Sequence, residues 1–201
     1  METTLDPTKS SLEIQKVRGK SRVTRSVNIS PLKILHPQSP NDCSYVVLSN
    51  YGGGMVQGDN VHLDLVCHQD SKLYLGTQAN TRIYKSINQD QSKQVIHGSL
   101  DKNALAVFYN DPIVPHENSD FIQSQTWNLK ENASLLLVDW MCSGRDENGE
   151  IFKYKSYTSQ IKISQDNDLI LNDQFTSRPK EHYPTSPIRF GDYYTSLNIY
   201  F

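Results

Sequence analysis

Apolar and polar residues alternate along much of this chain with a period of two. In residues 61–67 and 121–127 the alternation places apolar and polar side chains on opposite faces of an extended backbone. This pattern predicts β-strands that are buried on one face. No long stretch combines a helical period of about 3.6 residues with capping residues, which argues against an α/β fold.

Three other segments are almost continuously apolar, and we predict that they are strands buried on both faces. They are residues 45–48, 104–109 and 135–141. Short polar turn signals separate the predicted strands at intervals of about a dozen residues. These signals lie at residues 69–71, 101–103, 130–132, 146–149 and 165–168. The pattern therefore predicts a mainly β, multi-stranded structure, solenoid-like or sandwich-like, with few short helices.

The length of 201 residues predicts a single domain, residues 1–201, with one hydrophobic core. Residues 1–20 mix charged and apolar side chains, and we predict a flexible N-terminal end there. Residues 178–187 contain three prolines and are predicted to be a loop. Residues 193–201 are strand-like and apolar, so we expect either that Phe201 is buried or that the domain is incomplete at its C-terminus.

Positive and negative charges are balanced along the chain. The 20 Lys and Arg residues and the 22 Asp and Glu residues give a net charge of −2. This balance argues against a nucleic acid or an anionic membrane as the main partner. We find no secretory signal and no membrane helix in the sequence. Three widely separated cysteines, Cys43, Cys67 and Cys142, have apolar neighbours, which predicts reduced core thiols and a cytoplasmic protein.

Residues 52–59 form a glycine-rich segment that ends in an aspartate. Its glycines are Gly52, Gly53, Gly54 and Gly58. Their spacing matches a phosphate-binding loop, but Asp59 and Asn60 occupy the positions of the Lys and the Ser or Thr that bind phosphate and magnesium. We therefore predict a turn between two strands, in which Asp59 accepts hydrogen bonds from backbone amides.

No arrangement typical of an enzyme is present in the sequence. A nucleophilic Ser or Cys needs a His base and an orienting acid at recognisable positions, and we find none. The six histidines form no HxH or HExxH pair, so the sequence does not indicate a preformed high-affinity metal site. They are His36, His62, His68, His97, His116 and His182. His62 and His68 lie in or beside one strand, six residues apart, and we expect the others to be isolated. We expect a protein that is not an enzyme and that binds no cofactor tightly.

Two alternative functions stay open at this point. A Cys-dependent hydrolase would use Cys142 as its nucleophile and a distant base such as His97 or His116. A β-rich carbohydrate- or peptide-binding module would expose several aromatic side chains on one face. The candidate aromatic residues are Tyr45, Tyr84, Trp127 and Trp140.

Five segments, taken in order, resemble the UreD family of urease accessory proteins, also called UreH. They are residues 31–33, the glycine segment 52–59, the polar run 77–86, the turn 112–115 and residues 139–145. Beyond the glycines, the motif residues are Arg82, Tyr84, Cys142, Gly144 and Arg145. We expect Arg82 and Tyr84 to pack across strands.

The resemblance implies a fold and a function. The family fold is a long β structure wound like a solenoid, with a few short helices. Its members are non-enzymatic scaffolds that bind the F-type accessory protein and, through it, the G-type GTPase. The assembly docks on apo-urease so that nickel can be inserted. Family members are longer than this chain, which implies a C-terminally incomplete domain.

The resemblance also implies an internal, water-filled passage that conducts the nickel ion. Oxygen-bearing side chains at matching positions are the candidates for its lining. We expect Asp59, Asp139 and Asp173 to contact a transient nickel ion, and Thr77 and Thr81 to line the cavity. Carboxylate oxygens suit a divalent ion that must exchange quickly.

Overall fold

The computed structural model describes residues 8–39, 41–88 and 90–201. Sixteen β-strands and two short 3-10 helices, Tyr51–Gly53 and Asp146–Asn148, lie in this part of the chain. The strands up to β8 are β1 (Ser10–Val17), β2 (Lys20–Val27), β3 (Leu32–Leu35), β4 (Ser44–Asn50), β5 (Gly54–Met55), β6 (Asn60–Cys67), β7 (Lys72–Thr77) and β8 (Thr81–Ile83). The others are β9 (Ser92–Leu100), β10 (Leu105–Tyr109), β11 (Ile113–Pro115), β12 (Asp120–Leu129), β13 (Ser134–Cys142), β14 (Ser156–Gln165), β15 (Asp168–Ser177) and β16 (Thr195–Tyr200).

The strands form two sheets that wind as a solenoid. The first sheet has the order β15-β14-β12-β9-β6-β1-β2; the second has the order β3-β4-β7-β10-β13-β11-β8-β5, with β16 paired to β13. The chain alternates between the sheets, from β6 to β7, from β9 to β10 and from β12 to β13. Strands of successive windings therefore pair in parallel. The predicted mainly β, solenoid-like structure is confirmed.

The predicted turns are present and stack on one another. Asp70, Asn103 and Asn132 each adopt a left-handed φ, between 56° and 59°. Asn and Asp tolerate this conformation better than most residues, which explains their occurrence in the turn signals. The amide of Asp70 donates to the carbonyl of Lys102, and the amide of Asn103 donates to that of Glu131, each at 3.1 Å. Each turn thus supports the turn of the next winding.

The core lies between the two sheets, where the inward faces of successive strands align. Leu65, Gly98, Trp127 and Ile163 occupy one row across four neighbouring strands of the first sheet. Trp127 is completely buried. A Cβ atom at Gly98 would lie 2.1 Å from Cε3 of Trp127, so only glycine leaves room for the indole ring.

The N-terminal prediction is wrong for part of residues 1–20. Residues 10–17 form β1, which pairs with β2 on one edge and with β6 on the other. Leu12 and Ile14 are fully buried, so this strand belongs to the core rather than to a flexible end. Residues 1–7 lie outside the described residues.

Burial of the apolar strands also differs from the prediction. β4 and β10 are buried on one face only, because Tyr45 and Tyr109 point outward and are exposed. Residues 178–187 contain turns, as predicted, and the apolar C-terminal stretch contains β16. Phe201 is fully exposed. None of the helices in the described residues is long and apolar enough to cross a membrane.

Candidate functional site

A group of polar side chains lies in the interior, between the two sheets. Asp139 on β13 accepts hydrogen bonds from Gln123 Nε2 at 2.5 Å and from Ser159 Oγ at 2.8 Å. Gln123 Nε2 also lies 3.2 Å from the hydroxyl oxygen of Tyr157. All four residues are buried, and polar groups are tolerated there because they bond one another. We call Gln123, Asp139, Tyr157 and Ser159 the interior polar cluster.

The electrostatics of the interior polar cluster oppose a full negative charge on Asp139. Burial raises the pKa of Asp139; the hydrogen bonds from Ser159 and Gln123 act against this shift, and the carboxylate of Asp173 adds to it. Asp173 accepts a hydrogen bond from the Tyr200 hydroxyl at 2.6 Å. Burial, together with Asp173, raises the pKa of Tyr200. Asp139 and Asp173, two of the three predicted carboxylates, thus lie near enough for the charge of Asp173 to raise the pKa of Asp139.

A cavity of about 380 Å³ contains both predicted threonines, Thr77 and Thr81, in its lining. The Thr77 hydroxyl donates to the carboxylate of Asp111 at 2.8 Å and accepts from the Asp111 amide at 2.7 Å. Gln94 also lines the cavity, and on the first sheet it is the register partner of Gln123. The cavity and the interior polar cluster therefore occupy neighbouring positions on the inner face of that sheet.

Two buried side-chain oxygens in this region accept no hydrogen bond within the described residues. One is Oδ1 of Asn110, a residue in the cavity lining, and the other is Oε1 of Gln123 in the interior polar cluster. Buried amide oxygens are normally satisfied by protein groups or by water. Hydrated divalent cations also bind oxygen ligands of this kind.

The glycine segment is a turn that holds Asp59 within its own loop. Asp59 Oδ2 accepts a hydrogen bond from the Val56 amide at 2.8 Å, which confirms the predicted turn. Gly53 lines the cavity, whereas Asp59 is not among the lining residues. The structure therefore does not bring Asp59 together with Asp139 and Asp173, because its backbone amide contact keeps it in the turn.

The other motif residues around this turn have packing roles. Gly52, Gly53 and Gly58 have φ values of 80°, 74° and 78°. Gly54 on β5 pairs with Arg82 on β8, and a Cβ atom at Gly54 would lie 2.5 Å from the Arg82 carbonyl oxygen. The Tyr84 hydroxyl donates to the Gly52 carbonyl at 3.3 Å. Tyr84 therefore contacts the glycine turn, whereas Arg82 pairs with Gly54 through its backbone and its side chain is exposed.

The last motif, residues 139–145, spans the end of β13 and a second tight turn that follows it. Gly144 has a φ of 144°, and a Cβ atom there would lie 1.9 Å from the Glu150 carbonyl oxygen. The Arg145 guanidinium donates to the Glu150 carboxylate, with Nε at 2.8 Å from Oε2. This hydrogen bond holds the pKa of Glu150 below its ordinary value. Gly144 and Arg145 thus have structural roles in this turn.

The geometry around Cys142 argues against a Cys-dependent hydrolase. Cys142 is half-buried, and its sulfur accepts a weak hydrogen bond from Thr195 Oγ1 at 3.8 Å. Burial raises the pKa of Cys142, whereas a nucleophilic cysteine needs a lowered pKa. The proposed bases are engaged elsewhere: His97 contacts His62 and Asp64, and His116 packs edge-on against Tyr84.

The remaining predictions about cysteines and aromatic residues are corrected in part. Cys67 is buried in the core, but Cys43, like Cys142, is only half-buried. Trp127 is completely buried between the sheets, while Tyr45 stacks on Tyr74 on the outer face of the second sheet. These aromatic residues do not share one exposed face, so a carbohydrate- or peptide-binding platform built from them is not supported.

Three polar residues that the sequence analysis did not group together lie close to one another on the outer face of the first sheet. His62 and Asp64 lie two residues apart on β6, and His97 on β9 is the register partner of Asp64. His62 Nε2 and His97 Nδ1 are 3.3 Å apart. The prediction that His97 is isolated is therefore wrong, because it meets His62, which lies 35 residues away along the chain. The two-residue spacing of His62 and Asp64 places both side chains on one face of a strand, and this is the feature of the sequence that could have indicated the cluster.

Burial lowers the pKa of His62, which favours its neutral form, with a free lone pair on one ring nitrogen. We call His62, Asp64 and His97 the outer triad.

Comparison with known proteins identifies the family. Residues 8–200 match the family model described as "UreD urease accessory protein". Urease accessory protein UreD of Cytophaga hutchinsonii is 42% identical over 195 residues, which cover 97% of this chain and 68% of that protein. Urease accessory protein D of Arabidopsis thaliana is 30% identical over 165 residues, which cover 79% of this chain and 56% of the relative.

Urease accessory protein UreD of Staphylococcus epidermidis is 32% identical over 166 residues, covering 80% of this chain and 59% of the relative. The chain thus spans between 56% and 68% of the length of these three relatives. With a family match along nearly the whole chain and a solenoid-like β fold, this protein belongs to the UreD family of urease accessory proteins.

Proposed function

We propose that this protein is a non-enzymatic scaffold that assists nickel insertion into apo-urease in the cytoplasm. In this proposal it binds the F-type accessory protein and reaches the G-type GTPase through it. The match of residues 8–200 to a urease accessory family supports the general role. Nickel is cargo rather than a resident cofactor.

The interior polar cluster is the observation that carries the proposal. A buried carboxylate is expensive in an apolar core, because desolvation opposes its charge. Burial raises the pKa of Asp139, in agreement with such a cost. Groups that are kept at a cost to stability are typical of functional sites.

The proposed nickel route joins the cavity to the interior polar cluster. An ion would enter among the hydroxyl and amide groups around Thr77 and Thr81 and pass Gln94 to reach Asp139 and Asp173. The unpartnered oxygens of Asn110 and Gln123 support a hydrated path at this level. Oxygen ligands hold such an ion less tightly than a thiolate or imidazole cluster, which suits transit.

A binding experiment tests the scaffold role. The full chain, mixed with an F-type accessory protein and apo-urease, is expected to co-purify with both. A full-length UreD relative, carried through the same steps, is the positive control. Recovery of both partners with the relative and of neither with this chain would contradict the proposal.

A charge-removing substitution tests the nickel route. Asp139→Asn keeps the shape of the side chain and one acceptor oxygen, but it replaces the other oxygen with an NH2 donor and removes the negative charge. We therefore expect less nickel in urease matured with this variant. The exposed Asp166→Asn is the matched control. Thermal unfolding must show that both variants fold, and an unchanged nickel content with folded Asp139→Asn would remove Asp139 from the route.

A further inference from the structure

The outer triad lies on a rigid part of the fold, away from the interior polar cluster. β6 pairs with β9 on one edge and with β1 on the other, so its backbone is held on both sides. Because alternate residues of a strand share a face, His62 and Asp64 both point outward from β6. His97 projects beside them from β9. Sites built on paired strands hold their ligands more precisely than sites on loops.

The three ligand atoms form a nearly equilateral triangle. His62 Nε2 lies 3.3 Å from His97 Nδ1, His97 Nδ1 lies 3.2 Å from Asp64 Oδ1, and His62 Nε2 lies 3.3 Å from the same oxygen. An ion with ligands at about 2.1 Å separates adjacent ligands by about 3.0 Å in octahedral and about 3.4 Å in tetrahedral geometry. The observed separations fall between these two values.

Hydrogen bonding alone explains the outer triad poorly. Each of the three atoms contacts both of the others, and every contact is at least 3.2 Å long. Hydrogen bonds to a charged carboxylate are usually about 2.7–2.9 Å. One cation placed over the triangle would satisfy two imidazole lone pairs and one carboxylate oxygen at the same time.

We propose that His62, Asp64 and His97 bind one divalent first-row transition-metal ion on the outer face of the first sheet. Two imidazole nitrogens and one carboxylate oxygen suit Zn²⁺, Ni²⁺ or Co²⁺ and do not suit Mg²⁺ or Ca²⁺. The site requires only these three side chains, so it goes beyond the proposed nickel route and does not depend on it.

The surroundings of the outer triad indicate an open site. The side chains of His62, Asp64 and His97 are 19%, 43% and 50% exposed. The remaining coordination positions therefore face water, as in sites that exchange their ion. The positive charge of Lys9 acts on His62 and would weaken cation binding, so we expect micromolar rather than nanomolar affinity.

Titration of the chain, without a polyhistidine tag, with Co²⁺ tests the site. We expect one ion per chain, a dissociation constant on the order of micromolar, and visible absorption bands of a nitrogen- and oxygen-bound ion. His97→Ala and Asp64→Asn should each weaken binding by about tenfold or more. His182→Ala, which removes an exposed histidine elsewhere, is the matched control and should bind Co²⁺ like the unchanged chain.

Two results would overturn the site. One is absence of Co²⁺ binding up to roughly 1 mM, and the other is equal Co²⁺ affinity of His97→Ala and the unchanged chain. Asp139→Asn separates this site from the nickel route, because it should leave Co²⁺ binding at the outer triad unchanged. Excess Mg²⁺ should not compete with Co²⁺.

Discussion

At the residue scale, several positions have requirements that only one or two amino acids meet. Gly98 faces the Trp127 ring, and Asp120 is buried among three donors. Lys155 Nζ, Ser156 Oγ and Gln91 Nε2 lie 2.7, 2.7 and 2.8 Å from the Asp120 carboxylate. Substitutions at both positions are therefore expected to lower the free energy of unfolding.

Gly98→Ala should destabilise the protein. The added Cβ atom would lie 2.1 Å from Cε3 of Trp127, so the indole or the strand must move. Overpacking of this kind costs roughly 1–3 kcal/mol in the free energy of unfolding. Urea denaturation measures the change, and Ser99→Ala, next to Gly98 on the outward face, is expected to stay within about 0.5 kcal/mol. Equal stability of Gly98→Ala and the unchanged chain would refute the packing argument.

Asp120→Asn should destabilise the protein in a pH-dependent way. Burial opposes the charge of Asp120, but hydrogen bonds from Lys155, Ser156 and Gln91 outweigh it and hold the pKa below its ordinary value. A lowered folded-state pKa gives stability that is present above pH about 4 and is lost as the pH falls through the folded-state pKa. At pH 7 we expect a loss of roughly 1–3 kcal/mol in the unfolding free energy.

Urea denaturation of the Asp120→Asn variant between pH 7 and pH 3 tests this dependence. The difference from the unchanged chain should shrink as the solution becomes more acidic. Asp166→Asn, at an exposed turn, should change the unfolding free energy by less than about 0.5 kcal/mol. A difference that is constant with pH would show that the charge of Asp120 does not contribute.

At the scale of elements, the stacked turns between windings determine where each strand ends. Asn132 has a φ of 56° and an exposed side chain, so its backbone conformation can be tested without disturbing the core. Its place between β12 and β13 is equivalent to those of Asp70 and Asn103 in the preceding turns. Turn residues of this kind were identified correctly from the sequence because the preference is local.

Asn132→Val should lower the unfolding free energy by about 1–3 kcal/mol, since a β-branched residue is strained at positive φ. Asn132→Gly, which adopts this conformation freely, should remain within about 0.5 kcal/mol. Thermal or urea unfolding of the pair distinguishes backbone strain from loss of the side chain. Equal losses in both variants would indicate that the Asn132 side chain, rather than its φ angle, matters.

At the scale of the whole molecule, apolar residues are exposed at the end formed by β15 and β16. Leu169, Ile170, Ile199 and Phe201 are each more than half exposed, and the last three line one groove of about 610 Å³. Exposed apolar patches of this kind bind apolar dyes. We call these four residues the apolar end surface.

Ile199→Lys should reduce the fluorescence of the dye ANS bound to the folded protein by roughly half, because it places a charge in the centre of the apolar end surface. Thr126→Lys adds the same charge on the outer face of the first sheet and should leave the fluorescence unchanged. Circular dichroism must show that both variants are folded. Equal fluorescence of the two variants would mean that the dye binds elsewhere.

Local structure could be predicted from the order of residues along the chain. Alternation of apolar and polar residues predicted β6 and β12, and polar turn residues predicted where the strands end, because both patterns depend on neighbours along the chain. The glycine segment 52–59, the polar run 77–86 and residues 139–145, taken in order, indicated the family. The predicted burial of β4 and β10 on both faces was wrong, because apolar composition alone does not show which strand faces are covered.

Which distant side chains meet depends on how the folded chain pairs its strands and packs its sheets. Parallel pairing of β6 with β9 brings His97 to Asp64, and packing of the two sheets brings Asp139 to Gln123. These contacts depend on the register between segments in different windings, and a shift of one residue would turn each side chain to the opposite face. The local pattern does not contain that register, which results from packing of the whole core.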